Sequence, residues 1–390
     1  MTPAQRAAVY RRRRLGVATV ALLLVVGIGW VIGAVSADDP VVTGTSSTTT
    51  TPPSSAVGSC APPSDRRELV AGLLMIGVDP EDPVGAAAVL RATPGLGGVF
   101  VGGNSGAVLG NADFRRTTVD LGLLVAIDDE GGRVQRLDYL AGSLPSARTQ
   151  ARTRTSEEIA ELAVERARVM RSLGVNVDLA PVVDVTTQAD GDLIGDRSYG
   201  DDAESVVAGA GAFASGLRRG GVLPVLKHFP GHGRASGDSH DGAVLTPRLA
   251  DLQEVDLMPF RRLLAADPVG VMFGHLDVPD LTESGRPASL SPAAFRLLRD
   301  DLGFDGVAMT DDLGGMQSIR QRFGLEEAGE VAVAAGADLV LYSGLQEPTT
   351  VIDRLVDALE AGRVTRTRVE EAWQRVVRAK VAVGAVDCGV

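Results

Sequence analysis

The chain has 390 residues, of which 45% are hydrophobic, and its formal net charge is −12. Its dense basic run, Arg11-Arg12-Arg13-Arg14, directly precedes an apolar N-terminal stretch, so charge and composition argue against nucleic acid as a partner. The apolar content of the remainder suits one large domain.

The N-terminal segment has the pattern of a membrane anchor. Residues 1–14 are basic, and residues 15–37 are apolar and carry no charged side chain. A stretch of this length can cross a bilayer as a helix, and the preceding arginines predict a cytoplasmic N-terminus with the rest of the chain outside. A cleaved signal peptide is the alternative, because Ala34-Val35-Ser36-Ala37 resembles a cleavage site. Both interpretations predict export, either to the cell membrane or as a secreted protein.

Residues 38–63 are rich in Ser, Thr and Pro, which predicts a flexible linker before a folded domain of residues 64–390. The two cysteines of the chain, Cys60 and Cys388, lie near the two ends of that domain. In an oxidising compartment such a pair is a disulfide candidate. Two unpaired thiols are the alternative, because spacing alone does not fix disulfide geometry.

Short runs rich in Val, Leu and Ile alternate with longer stretches of helical periodicity. Strands are predicted at residues 69–76, 98–101, 123–127, 175–179, 223–226, 270–273, 306–309 and 337–341. Helices are predicted at residues 156–173, 203–219, 249–265, 292–302, 325–335, 349–361 and 368–383, with Ser156 and Ser291 as the caps of two of them. This alternation predicts an α/β fold of the (β/α)8 barrel type, with an open doubly wound sheet as the alternative.

Polar side chains follow strand after strand. They are Asp128 after the third predicted strand, Asp184 after the fourth, Lys227 and His228 after the fifth, His275 and Asp277 after the sixth, and Asp311 and Asp312 after the seventh. In a (β/α)8 barrel these positions surround one mouth, so the side chains are expected to converge on one site. An open sheet would spread them along an edge.

One loop, residues 227–240, contains three of the four histidines of the chain. Asp238 and His240 are two residues apart in it and can face each other across a tight turn. A carboxylate that orients one imidazole nitrogen raises the basicity of the other, which predicts a general acid/base pair. A structural histidine is the alternative interpretation.

The same loop offers His228, His232, Asp238 and His240 as nitrogen and oxygen ligands for a metal ion. Proline and glycine lie between His228 and His232, so these two cannot have the one-turn spacing of helix-borne zinc ligands. Neither a metal ion nor an organic cofactor is therefore expected.

Asp311 lies where the seventh predicted strand gives way to a glycine-bearing loop. A carboxylate in this place can act as a nucleophile or stabilise an oxocarbenium-like centre. Asp312 fits better as a cap for the segment that follows. Two further loops, residues 128–136 and 195–200, combine carboxylates with arginines, and such groups suit bidentate hydrogen bonds to vicinal sugar hydroxyls.

Four segments, in order, resemble the motifs of glycoside hydrolase family 3, specifically its single-domain β-N-acetylglucosaminidases. They are residues 127–136, 195–200, 227–233 with 238–240, and 310–313. The resemblance covers residues 66–383 and implies a (β/α)8 barrel and a retaining mechanism. It implies that Asp311 is the nucleophile and that His240, oriented by Asp238, is the acid/base. It also implies that the terminal sugar is bound by Asp128, Arg136, Arg197, Lys227 and His228.

Two positions depart from the family pattern. Asp129 stands where the family usually has glutamine, and it is expected to add negative charge beside Asp128. Gly314-Gly315 stands in a segment that is usually Leu-Ser-Met, and it is expected to loosen the loop after Asp311. Both departures bear on substrate preference more than on activity.

The resemblance implies an exo-acting β-N-acetylhexosaminidase that releases terminal N-acetylglucosamine from peptidoglycan fragments or other cell-wall glycans. A monomer is expected. A related glycosidase or a glycoside phosphorylase is an alternative, because a neutral imidazole tolerates incoming phosphate better than a second carboxylate would. A non-catalytic, membrane-tethered wall-binding barrel is the alternative from another class. The presence of both a nucleophile and a proton donor argues against it.

Overall fold

The computed structural model describes residues 56–57, 60–103, 106–238, 242–266, 268–344 and 347–388. Within them, eight parallel strands close into a barrel in which each strand pairs with its neighbours along the chain and the last pairs with the first. In chain order, β1 to β8 are Leu74–Val78, Gly98–Val101, Leu124–Ile127, Val177–Asp178, Leu223–Phe229, Gly270–Phe273, Ala308–Asp312 and Leu339–Tyr342. The predicted (β/α)8 barrel is confirmed, and the open sheet is excluded.

The barrel strands are mostly apolar because both of their faces are covered, and their polar residues lie toward the carboxyl ends. Alternate side chains point inward, where Met75, Leu124 and Met272 belong to one buried cluster. The side chains between them, such as Val99 and Val125, point outward and pack against the helices in a second cluster. Period-two alternation within apolar runs therefore builds two concentric layers of core.

Helices surround the barrel and connect its strands. The α-helices are Arg66–Ala71, Pro83–Ala92, Ala107–Gly110, Ala112–Asp120, Asp138–Ala141, Ala147–Thr153, Ser156–Ser172, Ala203–Arg219, Leu249–Glu254, Leu257–Leu263, Pro292–Arg296, Gln317–Arg320, Leu325–Ala335, Pro348–Glu360 and Arg366–Ala382. Short 3-10 turns lie at Gly195–Arg197 and Ala288–Leu290, and a π-helical turn lies at Leu297–Asp301. Short strands outside the barrel are Ala56–Val57, Val244–Leu245, Leu276–Asp277 and Val386–Asp387.

The first predicted strand, residues 69–76, is wrong over its first half. The carboxylate of Asp65 accepts hydrogen bonds from the backbone N–H groups of Arg67 and Glu68, and this cap begins the helix Arg66–Ala71. The strand begins only at Leu74. A short buried apolar run does not show by its periodicity whether it is helical or extended.

Four strands run further toward their carboxyl ends than predicted, and two of them, β5 and β7, do so by three residues. β5 continues to Phe229 and β7 to Asp312. Lys227, His228 and Asp311 are thus held in the barrel wall and do not lie in free loops. Rigid strand ends position side chains more precisely than loops do.

Several helix boundaries also differ from the predictions. The stretch predicted as one helix, residues 249–265, is two helices separated at Val255 and Asp256. The helix that begins at Pro292 has the predicted Ser291 cap but passes into a π-helical turn after Arg296. The cap of the helix Ser156–Ser172 is Thr155, which forms a capping box with Glu158, and not Ser156.

The face of the barrel at the amino ends of the strands is closed by the C-terminal helix. Val376, Ala379 and Val383 join the inner barrel cluster from below. Cys60 and Cys388 form a disulfide on the same face, with Cα atoms 5.6 Å apart, beside a cavity of about 610 Å³. The disulfide joins the two ends of the folded domain on the side away from the carboxyl ends of the strands.

Among the described residues, no helix is both long enough and apolar enough to span a membrane. The basic segment of residues 1–14, the predicted anchor of residues 15–37 and most of the linker lie outside the described residues.

Lys380, on the C-terminal helix, is a buried cation with one hydrogen bond of 2.9 Å to the carbonyl oxygen of Leu96. Burial lowers its pKa from 10.5 to about 8. The unfolded chain then holds the proton more tightly between about pH 8 and pH 10.5, so stability rises with pH in that window. We expect Lys380→Met to raise the free energy of unfolding at pH 7 by about 1–3 kcal/mol, and by less near pH 10, in urea denaturation.

Arg320→Met, which removes an exposed cation, is the matched control and should leave the pH dependence unchanged. A Lys380→Met protein that is less stable than the wild type at pH 7 would contradict the prediction.

Candidate active site

The carboxyl ends of the barrel strands surround a cavity of about 310 Å³. The ionisable side chains that line it are Asp128, Glu130, Arg136, Arg197, Lys227, His228, His232, Asp311 and Asp312. All five predicted sugar-binding residues and the predicted nucleophile therefore meet in one site. Of the predicted catalytic and sugar-binding residues that the structure describes, Asp238 alone is not part of this lining.

Four ionisable groups at the cavity form a chain of alternating charge. The Lys227 ammonium lies 2.6 Å from a carboxylate oxygen of Asp128 and 2.7 Å from one of Glu130. Glu130 also accepts two hydrogen bonds, each 2.7 Å long, from Nε and Nη2 of Arg197. Lys227 and Glu130 are buried, whereas Asp128 is partly exposed. These contacts hold the Lys227 and Arg197 side chains in place and leave Asp128 facing the cavity.

The alternation of positive and negative side chains sets the protonation states of Glu130 and Lys227. Burial would raise the pKa of Glu130, but Arg197 and Lys227 hold it well below its usual range. Burial would lower the pKa of Lys227, but Asp128 and Glu130 raise it above its usual value. Both groups therefore stay charged at neutral pH and offer fixed, charge-assisted hydrogen bonds to hydroxyl groups.

His228 is oriented by a buried carboxylate. Its Nδ1 lies 2.7 Å from Oδ2 of Asp184, and Oδ1 of Asp184 accepts the backbone N–H of His232 at 2.7 Å. Burial would raise the pKa of Asp184, but His228 lowers it, so Asp184 is ionised. An ionised partner places a proton on Nδ1 of His228 and leaves Nε2 as the nitrogen available to a ligand.

Asp311 lies near the carboxyl end of β7 and opens to the cavity. Its Oδ1 accepts the backbone N–H of Asp312 at 2.9 Å. Burial would raise the pKa of Asp311, but His228, the Asp312 amide and the Lys227 ammonium lower it below its usual value. The group is an ionised carboxylate at neutral pH, as a nucleophile requires.

His275 supports the backbone next to Asp311. Its Nε2 lies 3.0 Å from the carbonyl oxygen of Asp312, and its Nδ1 lies 2.7 Å from the hydroxyl oxygen of Ser289. A carbonyl oxygen only accepts, so Nε2 carries the proton and Nδ1 accepts from the serine. Burial lowers the pKa of His275, which keeps the ring neutral.

The loop after β7 is tied down, so the expectation that Gly314-Gly315 loosens it is wrong. The carboxylate of Asp312 accepts the backbone N–H groups of Gly314 and Gly315, each at 2.9 Å, and that of Ser343 at 2.8 Å. A Cβ atom at position 315 would lie 2.3 Å from this carboxylate. Glycine there permits the close approach on which the capped loop depends.

The expectation that Asp129 adds negative charge beside Asp128 is also wrong. Asp129 is fully buried and does not line the cavity. Its carboxylate accepts the backbone N–H of Arg136 at 2.8 Å and forms an ion pair with the buried guanidinium of Arg166. Arg166 balances the charge, and the pair fixes the backbone that presents Arg136.

The loop that carries the predicted acid/base pair leaves the barrel after β5. Its first part is anchored by an ion pair of 2.5 Å between Arg234 and the buried Asp256, and by hydrogen bonds between Ser236 and Leu245. Asp238 follows and is half-buried. His240 lies outside the described residues, so its pairing with Asp238 stays a prediction.

Sequence reasoning missed the parts played by Glu130 and Asp184. Asp184 was noted only for its place after a strand, and its contact with His228 depends on folding. Glu130 lies in a run of three carboxylates, Asp128-Asp129-Glu130, and no specific role was predicted for it. The signal was present, because residues two apart on an extended segment face the same side. That rule places Asp128 and Glu130 together and turns Asp129 away.

Glu130→Gln tests the alternating charges. The variant keeps the side-chain shape but leaves Lys227 and Arg197 short of a buried anion, so we expect the free energy of unfolding at pH 7 to fall by about 3 kcal/mol. We expect kcat/KM for a glycoside substrate to fall by about 100-fold, because Lys227 and Arg197 lose the carboxylate that positions them. The lowered pKa of Glu130 stabilises the fold above about pH 4.5, so wild-type stability falls below that pH, and the variant should lose less.

The control is Glu165→Gln, which removes an exposed carboxylate on the helix Ser156–Ser172. Chemical denaturation at several pH values and steady-state kinetics measure both effects. Equal behaviour of the two variants would show that Glu130 does not organise the site.

A (β/α)8 barrel with a small charged cavity, in which an ionised carboxylate faces hydroxyl-binding groups, is the arrangement of an enzyme that acts on carbohydrates. Comparison with known proteins identifies the family. The family model described as "Glycosyl hydrolase family 3 N terminal domain" matches residues 73–379. The chain belongs to glycosyl hydrolase family 3 and is a glycoside hydrolase.

Individual relatives agree with this assignment. Beta-hexosaminidase LpqI of Mycobacterium tuberculosis is 47% identical over 337 residues, which cover 83% of this chain and 86% of that protein. The solved structure of M tuberculosis LpqI has a TM-score of 0.79 at 46% identity, covering 84% of this chain and 98% of that chain. A family 3 β-N-acetylglucosaminidase from Paenibacillus sp. str. FPU-7 has a TM-score of 0.75 at 30% identity, covering 82% of this chain and 62% of that one.

Proposed function

We propose that this protein is a retaining exo-β-N-acetylhexosaminidase that releases terminal N-acetyl-β-D-glucosamine. The observation that carries the proposal is the position of the ionised Asp311 in the cavity that Asp128, Arg136, Arg197, Lys227 and His228 also line. At about 310 Å³ the cavity is at the small end of ligand sites, which suits one terminal sugar. A relative named as a β-hexosaminidase and a solved structure titled as a β-N-acetylglucosaminidase support the N-acetylated substrate.

The proposed reaction has two steps. In the first, an Asp311 oxygen attacks C1 of the terminal sugar, the C1–O bond to the leaving group breaks, and His240 gives its proton to the departing oxygen. In the second, His240 takes a proton from water, water attacks C1 and the bond to Asp311 breaks. Each step inverts C1, so the product keeps the β configuration.

The binding groups have distinct parts in this scheme. Asp128, Arg136, Arg197, Lys227 and His228 grip the hydroxyls of the terminal sugar and hold C1 against Asp311. Charge-assisted hydrogen bonds that are already in place need no reorganisation when the transition state forms. Asp238 orients His240, and Asp184 orients His228 in the same manner.

We further propose that the substrate comes from peptidoglycan or another cell-wall glycan, and that residues 15–37 anchor the enzyme with its catalytic domain outside the cytoplasm. The Cys60–Cys388 disulfide supports an exported location, because disulfides persist in oxidising compartments. Membrane fractionation of cells that express the full chain tests the anchor. Recovery of the protein with the cytosolic proteins would contradict this part of the proposal.

Activity toward a chromogenic N-acetyl-β-D-glucosaminide tests the reaction. We expect Asp311→Ala and His240→Ala each to lower kcat by about 1,000-fold or more, because one removes the nucleophile and the other the proton donor. Asp113→Ala, which removes an exposed aspartate from an outer helix, should behave as the wild type. Chelators should have no effect.

Two outcomes would contradict the proposal. Faster turnover in phosphate, with a sugar phosphate as the product, would indicate a phosphorylase. Absence of wild-type turnover with glycan binding retained would indicate a tethered binding domain.

A further inference from the structure

Two adjacent apolar side chains are exposed in the segment that follows the cavity residue Arg136. Tyr139 and Leu140, on the short helix Asp138–Ala141, are 50% and 46% exposed. This helix begins two residues after Arg136, which lines the cavity. Apolar groups placed together at the edge of a binding site mark a contact surface more often than isolated exposed residues do.

The segment that contains this helix is held in place by an ion pair and hydrogen bonds at its two ends. Arg166 pairs with Asp129 at its start and donates a hydrogen bond of 2.8 Å to the carbonyl oxygen of Gly142 at its end. The side chain of Gln135 accepts the backbone N–H of Leu144 at 2.9 Å. A buried ion pair and hydrogen bonds at both ends fix the position of the exposed side chains.

Tyr139 is further fixed by the neighbouring loop. A Cβ atom at Gly106, in the segment after β2, would lie 2.3 Å from the Tyr139 hydroxyl oxygen, so the ring extends across that loop. Burial and the carboxylates of Glu81 and Asp138 raise the pKa of Tyr139, so its hydroxyl stays protonated. The result is a positioned, half-exposed aromatic ring that spans two loops of the catalytic face.

The size of the cavity indicates what this surface contacts. A cavity that accommodates one sugar leaves the next unit of a glycan outside, on the rim of the barrel mouth. Pyranose rings have an apolar face of C–H groups, and an aromatic ring with a polar tip suits such a partner. The helix Asp138–Ala141, here called the rim helix, begins two residues after Arg136, so both belong to the segment that follows β3 at the carboxyl ends of the strands.

We propose that Tyr139 and Leu140 form the contact surface for the leaving-group sugar, and so favour glycan substrates over glycosides with small leaving groups. This inference rests on the proposed function. Tyr139 and Leu140 lie outside the cavity lining and determine specificity through their contact with the leaving group.

The test compares two substrates of the proposed enzyme. N-acetyl-β-D-glucosaminyl azide has a leaving group too small to reach the rim, whereas the trisaccharide of β-linked N-acetylglucosamine places a pyranose there. We expect Tyr139→Ser/Leu140→Ser to lower kcat/KM for the trisaccharide by about tenfold and to leave that for the azide unchanged. Tyr139→Phe keeps the ring and should retain wild-type activity on both substrates.

Val381→Ser is the matched control, because Val381 is 42% exposed on the C-terminal helix at the opposite face of the barrel. Equal loss on both substrates in the double variant would assign a structural role to the rim helix and overturn the inference. No loss on the trisaccharide would overturn it as well. Absence of wild-type activity on both substrates would refute the proposed function, and the inference with it.

Discussion

The buried ammonium of Lys227 is the constraint on which the site depends. A lone lysine at this depth would lose its proton, but Asp128 and Glu130 contact it at 2.6 and 2.7 Å and keep it charged. Glu130 must in turn be balanced by Arg197. Each buried charge is stable only because its neighbour carries the opposite charge. The four side chains therefore form one unit, and the strand ends determine its geometry.

This unit explains why a catalytic barrel tolerates so much charge in its interior. Removal of one partner of a buried ion pair leaves an uncompensated charge, which commonly costs about 3–5 kcal/mol. The site is therefore stable only as a whole. The same rule governs Asp129 with Arg166 behind the cavity.

Binding groups and stabilising features occupy opposite faces of the barrel. The carboxyl ends of the strands carry the cavity, and the amino ends carry the C-terminal helix and the Cys60–Cys388 disulfide. In barrel enzymes of this type the first face carries the active site and the second contributes to stability. The proposed anchor precedes Cys60, which lies at the face away from the cavity.

Much of the fold was predictable from the sequence because apolar runs form the barrel strands and segments of helical periodicity form the helices. Strands Gly98–Val101 and Gly270–Phe273 and helices Ala203–Arg219 and Leu325–Ala335 have the predicted bounds. Residues 69–73 were wrongly predicted as part of a strand, because a buried helix and a buried strand share the same short apolar pattern. The polar residues that follow the strands indicated the position of the cavity.

The pairing inside the site was less predictable. Charges that are adjacent in sequence, such as Asp128 and Asp129, face opposite sides, and the partners Arg166 and Asp184 come from distant segments. Asp129 seemed to add charge to the site because its partner lies 37 residues away. Such contacts are set by tertiary packing, which composition and spacing do not encode.

The most direct test of the central claim is the capture of the glycosyl-enzyme. A 5-fluoro-N-acetylglucosaminyl fluoride slows the second step, so the intermediate accumulates and peptide mass spectrometry can locate the sugar. The account predicts one sugar per chain, attached to Asp311 and released on transfer to water. Turnover without any covalent adduct, or an adduct on another carboxylate, would contradict it.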